Sequence, residues 1–160
     1  MRHAWRIRCL LAFLAAAILS GEHFDIKLTA TGSGGSRQEA DADETPPATG
    51  LNPRPVLKTR AGEPIRLQFI MTNVYAHDGV SDASVHYYVV RQKAAGQKTL
   101  PSLENAIAEG SLHFSLKPKA GIVGRNRIVI MQPGLYLLRV ETLNTQNEHE
   151  HFAAIDIQVQ

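Results

Sequence analysis

The chain has 160 residues, with 17 Lys and Arg against 15 Asp and Glu and a formal net charge of +2. Hydrophobic residues make up 44% of it, which is enough for the core of one ordinary domain. Its single cysteine excludes an internal disulfide framework and a cluster of thiolate metal ligands.

The N-terminal segment has the order of a secretory signal peptide. Three arginines within the first eight residues precede an apolar run from Cys9 to Leu19, and the small residues Ser20 and Gly21 follow. The run is much shorter than the roughly 20 residues that a bilayer span needs. We therefore expect a signal peptide over residues 1–20 and a secreted or periplasmic protein, with an uncleaved N-terminal anchor as the alternative.

Removal of this segment would change the charge of the chain. Three of the 17 basic residues would leave with it, so the mature chain would carry 14 − 15 = −1. No basic run interleaved with aromatic residues remains, which predicts that nucleic acid is not a partner. The only cysteine, Cys9, would also be removed, and no transmembrane span is expected in the mature chain.

The next segment divides into a strand and a linker. In residues 21–30, Phe24, Ile26 and Leu28 alternate with polar residues, which predicts a first strand that joins the main sheet system as an edge strand. Residues 31–53 are rich in Gly, Ser, acidic residues and Pro. Such a composition cannot bury enough apolar surface to offset the entropy of ordering, so it predicts a flexible linker or loop.

Residues 54–160 alternate apolar and polar side chains almost to the end of the chain, which predicts about seven to eight strands counting the first one. One short helix is expected near residues 102–109, with Ser102 as its N-cap. Many short strands with Gly, Pro and Asn turns favour an all-β fold, an antiparallel Greek-key β-sandwich. Pro133, Gly134 and Tyr136 predict a tyrosine corner, in which a phenol ties a strand to the preceding turn.

Two stretches resemble known sandwich families. Residues 61–69, Ala-Gly-Glu-Pro-Ile-Arg-Leu-Gln-Phe, resemble a turn and strand of cupredoxin-like domains, and residues 133–136, Pro-Gly-Leu-Tyr, resemble a strand found in both cupredoxin-like and immunoglobulin-like domains. The resemblance implies a secreted, bacterial-type sandwich of one of these two kinds. A blue-copper site needs a thiolate, so this chain, once Cys9 is removed, is not an electron-transfer protein of that type.

Histidines offer a different metal chemistry. His149 and His151 are two residues apart, so on a strand both imidazoles project to one side, and His77 could join them if its loop lies at the same end. These three predict a cysteine-free copper or zinc carrier as the alternative function. His86 and His113 are interpreted as ordinary outward-facing strand positions.

Tyr75, Tyr88 and Arg91 are the candidates for a binding face, since Tyr and Arg are favoured at protein interfaces. Adjacent tyrosines on a strand point to opposite faces, so Tyr87 and Tyr88 should separate. The chain contains no Gly-x-Ser-x-Gly elbow, phosphate loop or dinucleotide fingerprint, so no enzymatic activity and no cofactor are expected. The predicted function is a binding or structural module for an unknown protein or glycan.

Overall fold

The computed structural model describes residues 24–41, 54–97, 100–144 and 149–160, with the side chains of 143, 144, 149 and 150 left out. These segments form nine strands, and most of the strands alternate buried and more exposed residues, in agreement with the predicted all-β sandwich. They are β1 Phe24–Thr31, β2 Arg37–Asp41, β3 Val56–Thr59, β4 Pro64–Asn73, β5 Val80–Gln92, β6 Ala106–Leu116, β7 Gly121–Val129, β8 Gly134–Asn144 and β9 His149–Val159.

The strands form two sheets. Sheet A has four strands in the order β2-β1-β4-β7, and sheet B has five in the order β3-β9-β8-β5-β6. All pairings are antiparallel except that of β3 with β9, which is parallel. Strands β7 and β6 each have a neighbour on one side only, so each is an edge of its sheet.

The core lies between the two sheets and takes one face of each. Sheet A contributes residues such as Ile26 and Ile65, and sheet B contributes residues such as Leu138 and Ile155, all of them fully buried. Because successive side chains of a strand point to opposite faces, each buried residue alternates with one on the outer face. The period-two pattern of the sequence is the signature of this arrangement.

The strand at residues 24–31 is present, but its place differs from the expectation. Strand β1 lies between β2 and β4, inside sheet A, and is not an edge strand. Part of the predicted linker is also ordered, since Arg37–Asp41 pairs with β1 as β2 across a turn at residues 32–36. Backbone hydrogen bonds to β1 stabilise β2, so this charged segment forms a strand although its sequence lacks an apolar alternation. Residues 42–53 and the predicted signal peptide lie outside the described residues.

The predicted helix near 102–109 is mostly wrong. Only Leu103–Asn105 forms a helical turn, of the 3-10 type, and Ala106 begins strand β6. The predicted cap is real, because the Ser102 hydroxyl accepts a hydrogen bond from the Glu104 backbone N–H at 3.3 Å. Pairing of residues 106–116 with β5 extends the backbone where local preference alone would have continued the helix.

A buried ion pair ties the start of β3 to the rest of sheet B. Arg54 Nε donates to Asp156 Oδ1 at 2.7 Å, and the two side chains are only 9% and 1% exposed. Asp156 also accepts from Gln92 Nε2 at 2.9 Å and from the Gly96 backbone N–H at 2.6 Å. The carboxylate therefore joins three separate parts of the chain on the outer face of sheet B.

Candidate functional site

The sandwich is open along one side, between the edge strands β6 and β7. An apolar cleft with a volume of about 180 Å³ enters the core there; we call it the inter-sheet cleft. Its lining comes from both sheets and comprises Leu28, Leu67, Phe69, Val85, Tyr87, Gly110, Ser111, Leu112, Gly124, Arg125, Asn126, Leu138 and Val140. Leu112 occupies a core-facing position of β6, opposite Val85, and yet it is 51% exposed. The two sheets therefore do not close over the core at this side.

Two glycines shape the walls of the cleft. A Cβ added to Gly110 of β6 would lie 2.5 Å from the Tyr87 ring, and one added to Gly124 of β7 would lie 2.0 Å from the Phe69 ring. The rings of the neighbouring strands thus lie directly over the glycine backbones. A glycine inside a strand commonly marks such a close approach, and this was the available sequence signal for the cleft.

The rim of the cleft carries a few polar groups. Asn126 Nδ2 donates to the Tyr87 hydroxyl, which links β7 to β5 across the two sheets. Arg125 Nε donates to Gln68 Oε1 at 3.2 Å on the same edge. The described lining contains no carboxylate, imidazole or lysine, so it offers no general acid–base pair. The arrangement is suited to binding an apolar group beside a hydroxyl or amide.

The structure describes the side chains of two of the three histidines proposed as metal ligands, His77 and His151. His77 is exposed in the loop after β4, whereas the His151 side chain is buried and its ring meets the Phe24 ring edge-on, with centroids 6.3 Å apart. Phe24 also pairs with Asn73 at the end of β4, so the loop and the start of β9 do lie at one end of the sandwich. The side chain of His149 lies outside the described residues.

No three His, Cys, Asp or Glu side chains come together as a metal site among those that the structure describes. The set of His77, His149 and His151 stays a prediction. His86 lies on the outer face of sheet B, where its Nδ1 is 3.5 Å from Glu141 Oε1, and His113 is an exposed position of β6.

The residues proposed as a binding face do not meet. Tyr75 lies half-buried in the loop before β5, while Arg91 is near the other end of that strand, where its guanidinium donates to the Pro133 carbonyl at 3.4 Å. Tyr88 is on the outer face of sheet B but only 1% exposed, and its hydroxyl donates to Glu141 at 3.3 Å. Tyr87 and Tyr88 do point to opposite faces, with Tyr87 in the cleft.

Glu141 collects several contacts on the outer face of sheet B. Arg139 Nε donates to Glu141 Oε2 at 2.6 Å, and the same guanidinium lies 4.0 Å above the centroid of the Phe152 ring. Together with the Tyr88 hydroxyl, this arginine fixes the carboxylate. Tyr88 itself is buried in an apolar cluster with Val90, Leu137 and Ala154, and its bond to Glu141 satisfies the hydroxyl.

The turn before β8 has the geometry of a tyrosine corner. The Tyr136 hydroxyl donates to the Gln132 carbonyl at 2.9 Å, and the residue is 2% exposed. Gly134 has φ of 151°, and a Cβ there would lie 3.2 Å from the Arg91 guanidinium. The turn therefore ties β8 to the chain segment that precedes it.

Two ionisable groups have clearly altered pKa values. Burial raises the pKa of Tyr75 above its ordinary 10.0, and the nearby Asp78 carboxylate adds to the effect. The Ser33 hydroxyl, which donates to Glu63 Oε2 at 2.7 Å, lowers the pKa of the Glu63 carboxyl below 4.5. Neither group lines the inter-sheet cleft: the Tyr75 shift comes mainly from burial, and the Glu63 shift mainly from a local hydrogen bond.

Known proteins do not identify the chain: no protein-family model matches it, and no curated protein matches it either. None of the helical segments in the described parts of the chain is long and apolar enough to cross a membrane. The fold and the site define a β-sandwich protein with an open cleft between its sheets.

Proposed function

We propose that this protein is a secreted or periplasmic, non-enzymatic binding module whose ligand site is the inter-sheet cleft. The observation that carries the proposal is the exposed apolar opening between β6 and β7. Core-facing positions there, such as Leu112, are exposed at the opening and not covered by the opposite sheet. Export is supported by the arginines and the apolar run of the first 20 residues. The Tyr136 corner supports a sandwich of the immunoglobulin-like or cupredoxin-like kind.

The size of the cleft indicates what it can hold. An apolar cavity of about 150 Å³ accommodates a benzene molecule, and the inter-sheet cleft is similar at about 180 Å³. Sites that enclose a whole drug-sized molecule are usually larger, from about 300 Å³ upward. The cleft is therefore suited to one aromatic or branched aliphatic group that anchors a larger partner, with the Asn126 and Tyr87 polar groups beside it.

A methyl NMR titration with toluene tests the site. We expect saturable shifts of the methyl signals of Val85, Leu112 and Val140, because these side chains line the cleft. Leu112→Glu, which places a charge at the mouth, should abolish the shifts. The matched control is Ile107→Glu, on the same strand and 49% exposed, but outside the lining.

The two variants separate a site from a general surface effect. Because both replaced side chains are about half exposed, both variants should fold, which far-UV circular dichroism would check. Binding retained in Ile107→Glu and lost in Leu112→Glu would support the cleft. Equal loss in both variants, or no saturable shift in the unaltered protein, would show that the cleft is not the ligand site.

A further inference from the structure

The outer face of sheet A carries a row of arginines drawn from three strands. Thr31 of β1 lies opposite Arg37 of β2 on one side and Arg66 of β4 on the other, and Arg66 lies opposite Arg127 of β7. These four positions form one line across the sheet, which we call the arginine row. At about 4.8 Å between strands, the row is roughly 14 Å long. Arg125, two residues from Arg127 on the same face, adds a fourth guanidinium.

The row places like charges side by side. Arg66 and Arg127 are direct cross-strand partners, an arrangement that destabilises a sheet when both residues carry the same charge. Within the part of the chain that the structure describes, neither guanidinium forms an ion pair or a side-chain hydrogen bond. Arg37 pairs with Glu39, and Arg125 donates to Gln68. An anion bound between Arg66 and Arg127 would offset the repulsion between these two side chains.

The row lies in a broad, shallow depression of about 710 Å³. Its lining holds four arginines and no acidic or aromatic residue, and comprises Thr29, Thr31, Arg37, Arg66, Leu67, Gln68, Arg125, Asn126 and Arg127. The hydroxyls of Thr29 and Thr31 and the amides of Gln68 and Asn126 therefore lie beside the guanidinium groups. The depression and the inter-sheet cleft share lining only at Leu67, Arg125 and Asn126, so Arg66 and Arg127 belong to the depression alone.

These features select among anionic partners. Single-stranded nucleic acid is normally held by aromatic side chains on which bases stack, and this lining has none. The flat surface of a bilayer would not fill the depression, which disfavours a membrane as the partner. A linear chain can lie along the row, place acidic groups on the arginines and direct sugar hydroxyls at Thr29, Thr31 and Gln68.

We propose that the arginine row is a binding site for a linear anionic polysaccharide. Arg66 and Arg127 bind its sulfate or carboxylate groups through paired N–H donors. Arg37 extends the site across the sheet beyond β1, and Arg125 extends it along β7. Arg66 and Arg127 lie outside the lining of the inter-sheet cleft, so the site does not depend on the cleft being occupied.

Isothermal titration of the purified protein with a heparin octasaccharide at low salt tests the proposal. We expect one binding event that weakens steeply as salt is added, since charge neutralisation dominates such contacts. Arg66→Gln/Arg127→Gln should weaken binding by at least about tenfold. The matched control is Lys58→Gln/Arg60→Gln, which removes the same charge from two exposed positions outside the depression.

The thermal midpoint supplies a second readout on the same variants. In the absence of ligand, Arg66→Gln should raise the midpoint by about 1–3 °C, because it relieves the repulsion with Arg127. If the substitution instead disrupted the fold, the thermal midpoint of the variant would be lower than that of the unaltered protein. Octasaccharide should raise the midpoint of the unaltered protein and of the Lys58/Arg60 control, and not that of the Arg66/Arg127 variant.

Three outcomes would overturn the proposal. Equal losses in the site variant and the control would show an effect of net charge only. Binding to vesicles containing phosphatidylglycerol, without binding to the octasaccharide, would assign the row to a membrane surface. Saturable binding of inorganic phosphate, without binding of the octasaccharide, would assign the arginine row to a free ion. Toluene binding at the cleft should persist in Arg66→Gln/Arg127→Gln, so failure here is distinguishable from failure of the proposed function.

Discussion

The buried carboxylate of Asp156 should be the most sensitive polar group of the fold, and Asp156→Asn tests this. The side chain is 1% exposed and accepts hydrogen bonds from Arg54, Gln92 and the Gly96 backbone. The substitution keeps the shape of the side chain but leaves the Arg54 charge buried without its counter-ion. It also replaces one accepting oxygen by an NH2 group, which faces N–H donors that the carboxylate had accepted from. Removing one partner of a buried ion pair costs about 3–5 kcal/mol, so we expect a loss of about 3 kcal/mol.

Urea unfolding followed by far-UV circular dichroism measures the loss. A decrease of about 3 kcal/mol corresponds to a fall in the thermal midpoint of roughly 10 °C for a domain of this size. The denaturant dependence should stay unchanged, because the surface exposed on unfolding is the same. As a control, Glu39→Gln removes one partner of an ion pair in which both side chains are 61% exposed, and it should leave the midpoint unchanged.

A double-mutant cycle separates the ion pair from general damage. Arg54→Met alone should also destabilise the protein, because it leaves the Asp156 carboxylate buried without a positive charge. The double variant should cost at least about 2 kcal/mol less than the sum of the two single changes, since no unpaired charge remains. A loss below about 1 kcal/mol for Asp156→Asn, or strict additivity in the cycle, would refute the reasoning.

Three further predictions concern local contacts. Gly124→Ala should cost about 1–3 kcal/mol in a urea titration, because its Cβ would lie 2.0 Å from an aromatic ring, whereas Gly34→Ala meets nothing within 4 Å and should be nearly neutral. Tyr136→Phe should cost about 1 kcal/mol in the same assay by removing the corner hydrogen bond, and an unchanged midpoint would contradict that role. The lowered pKa of Glu63 contributes stability that is present above pH 4.5 and is lost as pH falls through the lower folded value. Glu63→Gln should therefore flatten the acid side of the stability profile from pH 7 to 3, and an unchanged profile would show that the Ser33 contact does not contribute.

Local patterns predicted the sandwich and its tyrosine corner. Alternation at Ile65, Leu67 and Met71 reports burial on one face of a strand, which is a property of neighbouring residues in the sequence. The corner joins Tyr136 to Gln132, only four residues away, so a short motif contains both partners. Signals of this range do not depend on which strands become neighbours.

Pairing between distant strands decided the remaining features. Strand β2 forms from a charged segment because β1 offers it hydrogen bonds, and Ala106 extends into β6 because β5 does the same. The cleft exists because β6 and β7 become edges on one side of the sandwich. No single stretch of sequence contains these relationships.

The arginine row shows the same division most clearly. Arg37, Arg66 and Arg127 lie far apart in the sequence, and a net charge of −1 for the chain beyond residue 20 argued against an anionic partner. Strand register brings them into one line. The sequence by itself determined the sandwich, since burial has a period of two along each strand. Only the tertiary structure decided where charge accumulates, because that depends on which strands lie side by side.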